Sequence, residues 1–472
     1  MATNPQDRPD YHHPDYDHMA PILTVVGDCY GDLYGVKERY LPKADNERDK
    51  PYKDRVARAV FNNRIRPAID ANAGLLTAFE ISDYPPSIEE YEDDVDGNGA
   101  DLKSFLRNAD AMAQRDRHCF ILVDSPPTTG QRTAADRLVN PVRPKLHLID
   151  RRSVLNWRLV DIGGSQVLTQ VTVGLCERVE DGRFGTKSVH RYHVLSLIDA
   201  GVQHEVLEID DRDNVVTISS TVANLPQIPL ICYPFTASPF GTEIPPFYKA
   251  ALLNIKLFQK DSALDEIEYR VNCPTLWRKS EDPLEMRPPM TLGASWIIEL
   301  MQGDDVGVLE ISGQSIAALQ VSIDEIKRDI DRETGAFLVG GSKVSRTATE
   351  SSLAAMSLSA SLTGYARAKA SAIKAILDLW CLFTGEENNT EVQQDESVLE
   401  VPLEPQEIQA LLGLFNAGVL SHQTLLELLR MGRQLPPNFD VEQELERLGT
   451  ERNQEQATPQ IEPADLSDDE DF

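Results

Sequence analysis

Residues 313–336 carry the sharpest hydrophobic pattern in the chain. Ile316, Leu319, Ile323, Ile326 and Ile330 recur at steps of three, four, three and four, with charged residues between them. That spacing predicts an amphipathic helix with one narrow apolar stripe. Upstream, 245–272 predict another long helix, with Pro245 and Pro246 suited to its first turn and a stop before Cys273-Pro274. The intervening 273–312, rich in Pro and Gly, predict a small compact insert between the two rods.

The remaining pattern divides by period. Val56, Val60, Ile65, Ile69 and Ala73 fit one helix, bent at Pro67. Leu102, Phe105, Leu106, Ala109 and Ala113 form one face of a helix beginning near Asp101. "HCFILVD" then reads as a strand. From 146 to 233 short β-branched runs alternate with Gly and Asp turns, so 22–244 predict one α+β domain. A loop over 337–349 precedes a long helix, 350–385, in which more than half of residues 351–375 are Ser, Ala or Gly. Small side chains let such a helix approach its neighbours closely. Residues 402–450 predict short helices broken at Gly418, with Ser421 as an N-cap. The first 21 residues read as a disordered arm, and the acidic 451–472 as a tail too polar to fold alone.

Composition narrows the class. A 472-residue chain with 41% hydrophobic and 26% charged residues is an ordinary globular balance for two to four structural units. No apolar run reaches the length of a membrane span, and the start lacks the pattern of a secretory signal. The six cysteines form no CxxC pair, which reads as reduced thiols in a cytoplasmic-type compartment. A formal charge of −30 argues against a surface that grips nucleic acid throughout. It does not argue against a protein that surrounds DNA without holding it.

Candidate chemistry is sparse. "FLVGGSKVSRTATESSLAA" imitates a phosphate-binding loop, but Gly341 stands where the lysine belongs and a helix, not a strand, precedes it. In "DDVDGNGADLKSF" Phe105 stands where a calcium loop needs its twelfth ligand, so a turn capping the next helix is the reading. His12, His13 and His18 lie in the polar arm, which reads as solvated. Asp124-Ser125 lacks a nucleophile turn. No cofactor, metal site or catalytic group is expected, and the chain reads as a non-enzyme. Lys343 and Arg346 are cations in a loop that Gly340 and Gly341 would let move. Repeated around an axis, such loops would add weak, sequence-independent phosphate contacts.

The order of parts resembles the portal (head-to-tail connector) proteins of tailed bacteriophages. Local text agrees: "YKDRVARAVFNNRIRPAIDANAGLL", "DGNGADLKSFLRNADAMAQRDRHCFILVDSP", "GVLEISGQSIAALQVSIDEIKRDI", the "TATESSLAA" helix and "LFNAGVLSHQTLLELLRMG" followed by "LPPNFDVEQELERL". The resemblance covers about residues 25–450. It implies a ring, usually a dodecamer, at one capsid vertex of the virion, assembled in the host cytoplasm. Its wing would be 22–244 with 350–385, its stem 245–272 and 313–336, its clip 273–312, its tunnel loop 337–349 and its crown 402–450. Implied partners are a terminase large subunit, tail adaptors, capsid and scaffolding proteins, and double-stranded DNA passing non-specifically, with no membrane. Lys343 and Arg346 would touch DNA in the channel, and Ile316, Leu319, Ile323, Ile326 and Ile330 would pack the stem. Trp277, Arg278, Lys279, Arg287 and Trp296 would dock the terminase or an adaptor, although core packing of both tryptophans is an equal reading. The rival classes are an adaptor or other capsid protein without a channel, and a nucleotide hydrolase or metal-dependent nuclease.

Overall fold

The computed structural model of the chain describes residues 4–125, 143–235, 238–272, 275–279, 305–309, 314–334, 348–394, 405–431, 434–435 and 439–448. The fold is α+β. Two compact units are formed, one by 1–345 with 365–393, the other by 346–364 with 394–472.

In the first unit, α1 (Pro14–Tyr30), α2 (Lys37–Tyr40), α3 (Asp49–Arg58) and α4 (Arg66–Leu75) precede β1 (Phe79–Ser82), α5 (Pro86–Tyr91) and α6 (Leu102–Asp116). Over 4–21 the expected disordered arm is thus corrected, and a boundary at 22 would fall inside α1. Met19, Leu23, Val26 and Cys29 are buried at helical spacing, while Pro14 sits in the first turn, where its missing N–H costs nothing. His13 caps this helix by accepting from the Asp15 amide at 3.2 Å, and its ring stacks on Trp157 with centroids 4.2 Å apart. His12 Nδ1 is engaged by Asp17 at 2.9 Å. The single bent helix expected around Pro67 is two helices. Residues 59–65 between α3 and α4 are non-helical, and Pro67 lies in the first turn of α4.

A three-stranded antiparallel sheet runs in the order β3 (Lys145–Ile149), β2 (Cys119–Asp124), β9 (Leu230–Tyr233). The continuous apolar run of β2 follows from burial on both faces. Cys119, Ile121 and Val123 enter a core with α6 and the long helix α9 (Ala348–Thr384). Phe120 and Leu122 face a second core, shared with the five-stranded antiparallel meander β4 (Val154–Ile162), β5 (Ser165–Asp181), β6 (Gly185–Ile198), β7 (Gly201–Ile209) and β8 (Val215–Ala223).

The turn before α6 is closed by its own carboxylates. Asp94 accepts from the Gly99 amide at 2.7 Å, Asp96 from those of Asn98 and Ala100, and Asp101 caps α6 through the Ser104 amide at 2.8 Å. In the second unit, α10 (Pro405–Asn416) and α11 (His422–Met431) are joined through Gly418 at φ +74°, and Ser421 accepts from the Thr424 amide. Positive φ there favours glycine.

Candidate functional site

The part of the molecule with the most specific geometry is a pair of antiparallel helices, α7 (Tyr248–Asn272) and α8 (Gln314–Thr334), within the first unit. At 25 and 21 residues they are about 37 and 31 Å long at the usual rise. Near the base, Lys249 Nζ on α7 meets Glu333 Oε1 on α8 at 2.5 Å. Further along, Lys260 Nζ donates to Ser322 Oγ at 2.7 Å. Between these ties Ile323, Ile326 and Ile330 are buried against Leu257 with Leu253 beside them, and Leu264 and Leu319 extend the packing past the outer tie. Ile316, a turn beyond, is half-buried.

α7 is held on a second flank. Phe247, Ala250, Ala251, Ile255 and Phe258 enter a core with α1 and α4. Asn254, fully buried, accepts from the Arg64 amide at 2.9 Å and donates to the Asn62 carbonyl at 2.9 Å. Burial on both sides explains why α7 lacks a clean apolar stripe. α8 has one apolar flank only, and Asp324, Glu325, Arg328 and Arg332 on its other side are exposed. Asp261 lies partly buried near the seam, and its carboxyl is pushed up by burial against the opposing pull of Lys327.

β10 (Thr275–Lys279) and β11 (Asp305–Leu309) form an antiparallel pair between the two helices in sequence. Trp277 stands opposite Gly307, and a Cβ at 307 would lie 2.7 Å from the indole. The glycine therefore lets the ring lie flat against the neighbouring strand. Trp277 is nevertheless 44% exposed. It is packed on one side and open on the other. Lys279 is exposed on the same strand, which also carries Arg278. Arg287 and Trp296 lie outside the described residues, as do Gly340, Gly341, Lys343 and Arg346.

Sequence reasoning missed the polar ties Lys249–Glu333 and Lys260–Ser322, since nothing in the text pairs residues so far apart. Among the described residues no group of three His, Cys, Asp or Glu could hold a metal ion, and no helix is long and apolar enough to cross a membrane.

Residues 246–384, running from the start of α7 to the end of α9, match the family described as a domain of unknown function, DUF4055. No curated protein matches the chain. Solved structures similar to the chain include two from gene transfer agent particles. One is a chain from the "virion of native gene transfer agent (GTA) particle", at 13% identity and TM-score 0.37, covering 87% of this chain and 99% of that one. The other is from the "neck of empty GTA particle computed with C6 symmetry", at 14% identity and TM-score 0.36, covering 78% and 89%. Likeness at this level carries no function with it.

Proposed function

We propose that the chain is a subunit of a non-enzymatic, phage-like portal ring at one capsid vertex. Double-stranded DNA would pass through the ring during packaging and exit. The reading rests on the order of parts in the sequence, and one observation carries it furthest. A rigid antiparallel helix pair is anchored along one flank of α7 and leaves a charged flank on α8, with a strand pair at its far end. Subunits of this shape set around an axis present parallel rods with polar surface left to face an aqueous channel. The chain's net charge of −30 disfavours sticking of phosphate to the ring as a whole, while a few cations such as Lys343 and Arg346 would touch the passing backbone. The strand pair, with half-open Trp277, would meet the terminase large subunit and later a tail adaptor. Capsid and scaffolding proteins would surround the ring.

The test is light scattering and negative-stain imaging of the purified full-length chain. Closed rings with a central hole, most simply dodecamers, are the expected result. A single-copy mass with no hollow particle, at any concentration and with scaffold added, overturns the ring and favours an adaptor. ATP turnover abolished by Lys343→Ala would instead favour a hydrolase.

A further inference from the structure

A cavity of about 460 Å³ lies between the three-stranded and five-stranded sheets. Leu122, Leu148, Val173 and Leu175 form its apolar lining. At its polar end stand Glu177 on β5, His193 on β6, His204 on β7 and Asp124, the last residue of β2. His193 is opposite Val206 and His204 is opposite Leu195, so the two imidazoles are diagonal neighbours on one face of the sheet.

Their hydrogen bonds fix the protons. His193 Nε2 lies 2.9 Å from Glu177 Oε1, and an ionised carboxylate only accepts, so Nε2 carries the proton. In the neutral ring Nδ1 must then accept, and His204 Nε2, 3.1 Å away, donates to it. That leaves a bare lone pair on His204 Nδ1, which faces the Asp124 carboxylate at 3.9 Å. Two acceptors thus oppose one another at the end of an otherwise satisfied row.

The ring centroids are 5.3 Å apart, little less than the nitrogen separation plus the two ring radii. The facing nitrogens therefore point along one line, as for a hydrogen bond, rather than converging on a point as metal ligands do. No third ligand joins them among the described residues.

We propose that Glu177, His193, His204 and Asp124 form a proton-operated clasp between the two sheets. A proton taken up by His204 resides on its Nδ1, which then closes on Asp124 to donate to it and ties the end of β2 to β7.

The surrounding charges set the direction. Glu177 is shared with Arg191 at 2.8 Å, and Arg191 also faces Glu208 at 3.6 Å. From β3 come Lys145 and His147, and from the turn before α6 comes Asp96. Asp124 favours uptake by His204, whereas burial and the neighbouring His193 and His147 oppose it. Burial is the largest influence and holds His204 below its ordinary value. The clasp is therefore open at neutral pH and closes as pH falls below about 6.5.

The inference is independent of ring formation and is tested on the full-length chain. Histidine C2-hydrogen exchange read by mass spectrometry gives a midpoint for each ring, and amide exchange reports the end of β2. The expected result is proton uptake by His204 below its ordinary value, with protection at the end of β2 rising as the proton binds. Asp124→Asn should lower the His204 midpoint by about one pH unit and abolish that protection. An unchanged His204 midpoint in Asp124→Asn overturns the clasp. So does proton uptake by His204 in the wild type with no change in protection at the end of β2, a readout that stands even if a variant fails to fold.

Discussion

Lys369 on α9 donates to Asp110 on α6 at 2.6 Å, and neither side chain reaches solvent. Lys369 also donates to the Leu76 carbonyl at 2.7 Å and sits over the Phe79 ring, while Tyr233 and Tyr365 donate to the other Asp110 oxygen. Burial pushes the carboxyl up and the ammonium down, while their mutual attraction opposes both shifts. Removing one partner strands the other. Asp110→Leu or Lys369→Met alone should each cost about 3–5 kcal/mol, measured by urea unfolding. The double variant should be markedly less unstable than the two single losses combined, since an apolar replacement of a buried pair is often near neutral.

The seam between α7 and α8 gives a graded expectation. Ile330 is fully buried and Ile326 nearly so, so alanine at either should cost about 2–5 kcal/mol. Ile316 is half-buried near the start of α8, and its alanine variant should cost far less. Equal losses at all three positions in urea unfolding would mean that the seam extends further along α8 than this packing gives.

The same two helices mark how far the sequence could be read. α8 has one apolar neighbour, so its burial period equals its helical period and the stripe is plain in the text. α7 has two, and Leu257 and Phe258, adjacent in sequence, enter different cores. Periodicity blurs where a helix is buried on both flanks. The sheets were legible because their strands alternate or run continuously apolar. α1 was obscured by Pro14, Pro21 and the His/Asp text, although Met19, Leu23 and Val26 kept helical spacing. The Glu177–His193–His204–Asp124 row was illegible for another reason. It depends on strand register and on the apposition of two sheets, and a single sequence prints neither.

Gly307 and Trp277 form a second close relationship that substitution can interrogate. A methyl at 307 overlaps the indole, so Gly307→Ala must displace the ring into solvent or part the strands. The chain has four tryptophans, so the signal is taken as a difference against Trp277→Phe. Red-shifted emission from Trp277 is expected in Gly307→Ala. In the Trp277→Phe background the same glycine change should leave the spectrum unaltered.

His118 gives the chain an acid-sensitive point. Its ring is buried edge-on to Phe120, neither nitrogen makes a hydrogen bond of ordinary geometry, and burial with nearby Arg151 lowers its pKa to about 3. The unfolded chain takes up this proton first, from about pH 6.5 downward. Stability is therefore lost as pH falls from 6.5 towards 3, with a ceiling of about 1.4 kcal/mol per pH unit. Asp116, pushed up to about 6 by burial, works in the opposite direction. The readout is thus the difference between wild type and His118→Phe in urea unfolding at pH 7, 6 and 5. The difference should shift steadily in favour of the variant as pH falls, and a pH-independent difference would show that His118 does not titrate on unfolding.

Lys343 and Arg346 carry the expectation that separates a DNA-conducting ring from a ring of any other purpose. Each copy offers two cations, and phosphate contacts of this kind are weak, sequence-independent and dependent on salt. In the proposed ring, replacing both with alanine should leave assembly intact. DNA retention after packaging should fall, and the loss should grow as ionic strength is lowered towards conditions where the wild-type contacts are strongest. Replacing both with each other's type, Lys343→Arg with Arg346→Lys, keeps the charge and should preserve retention. Packaging and retention that match wild type in the double alanine variant, at every salt concentration, would remove these two residues from any channel role.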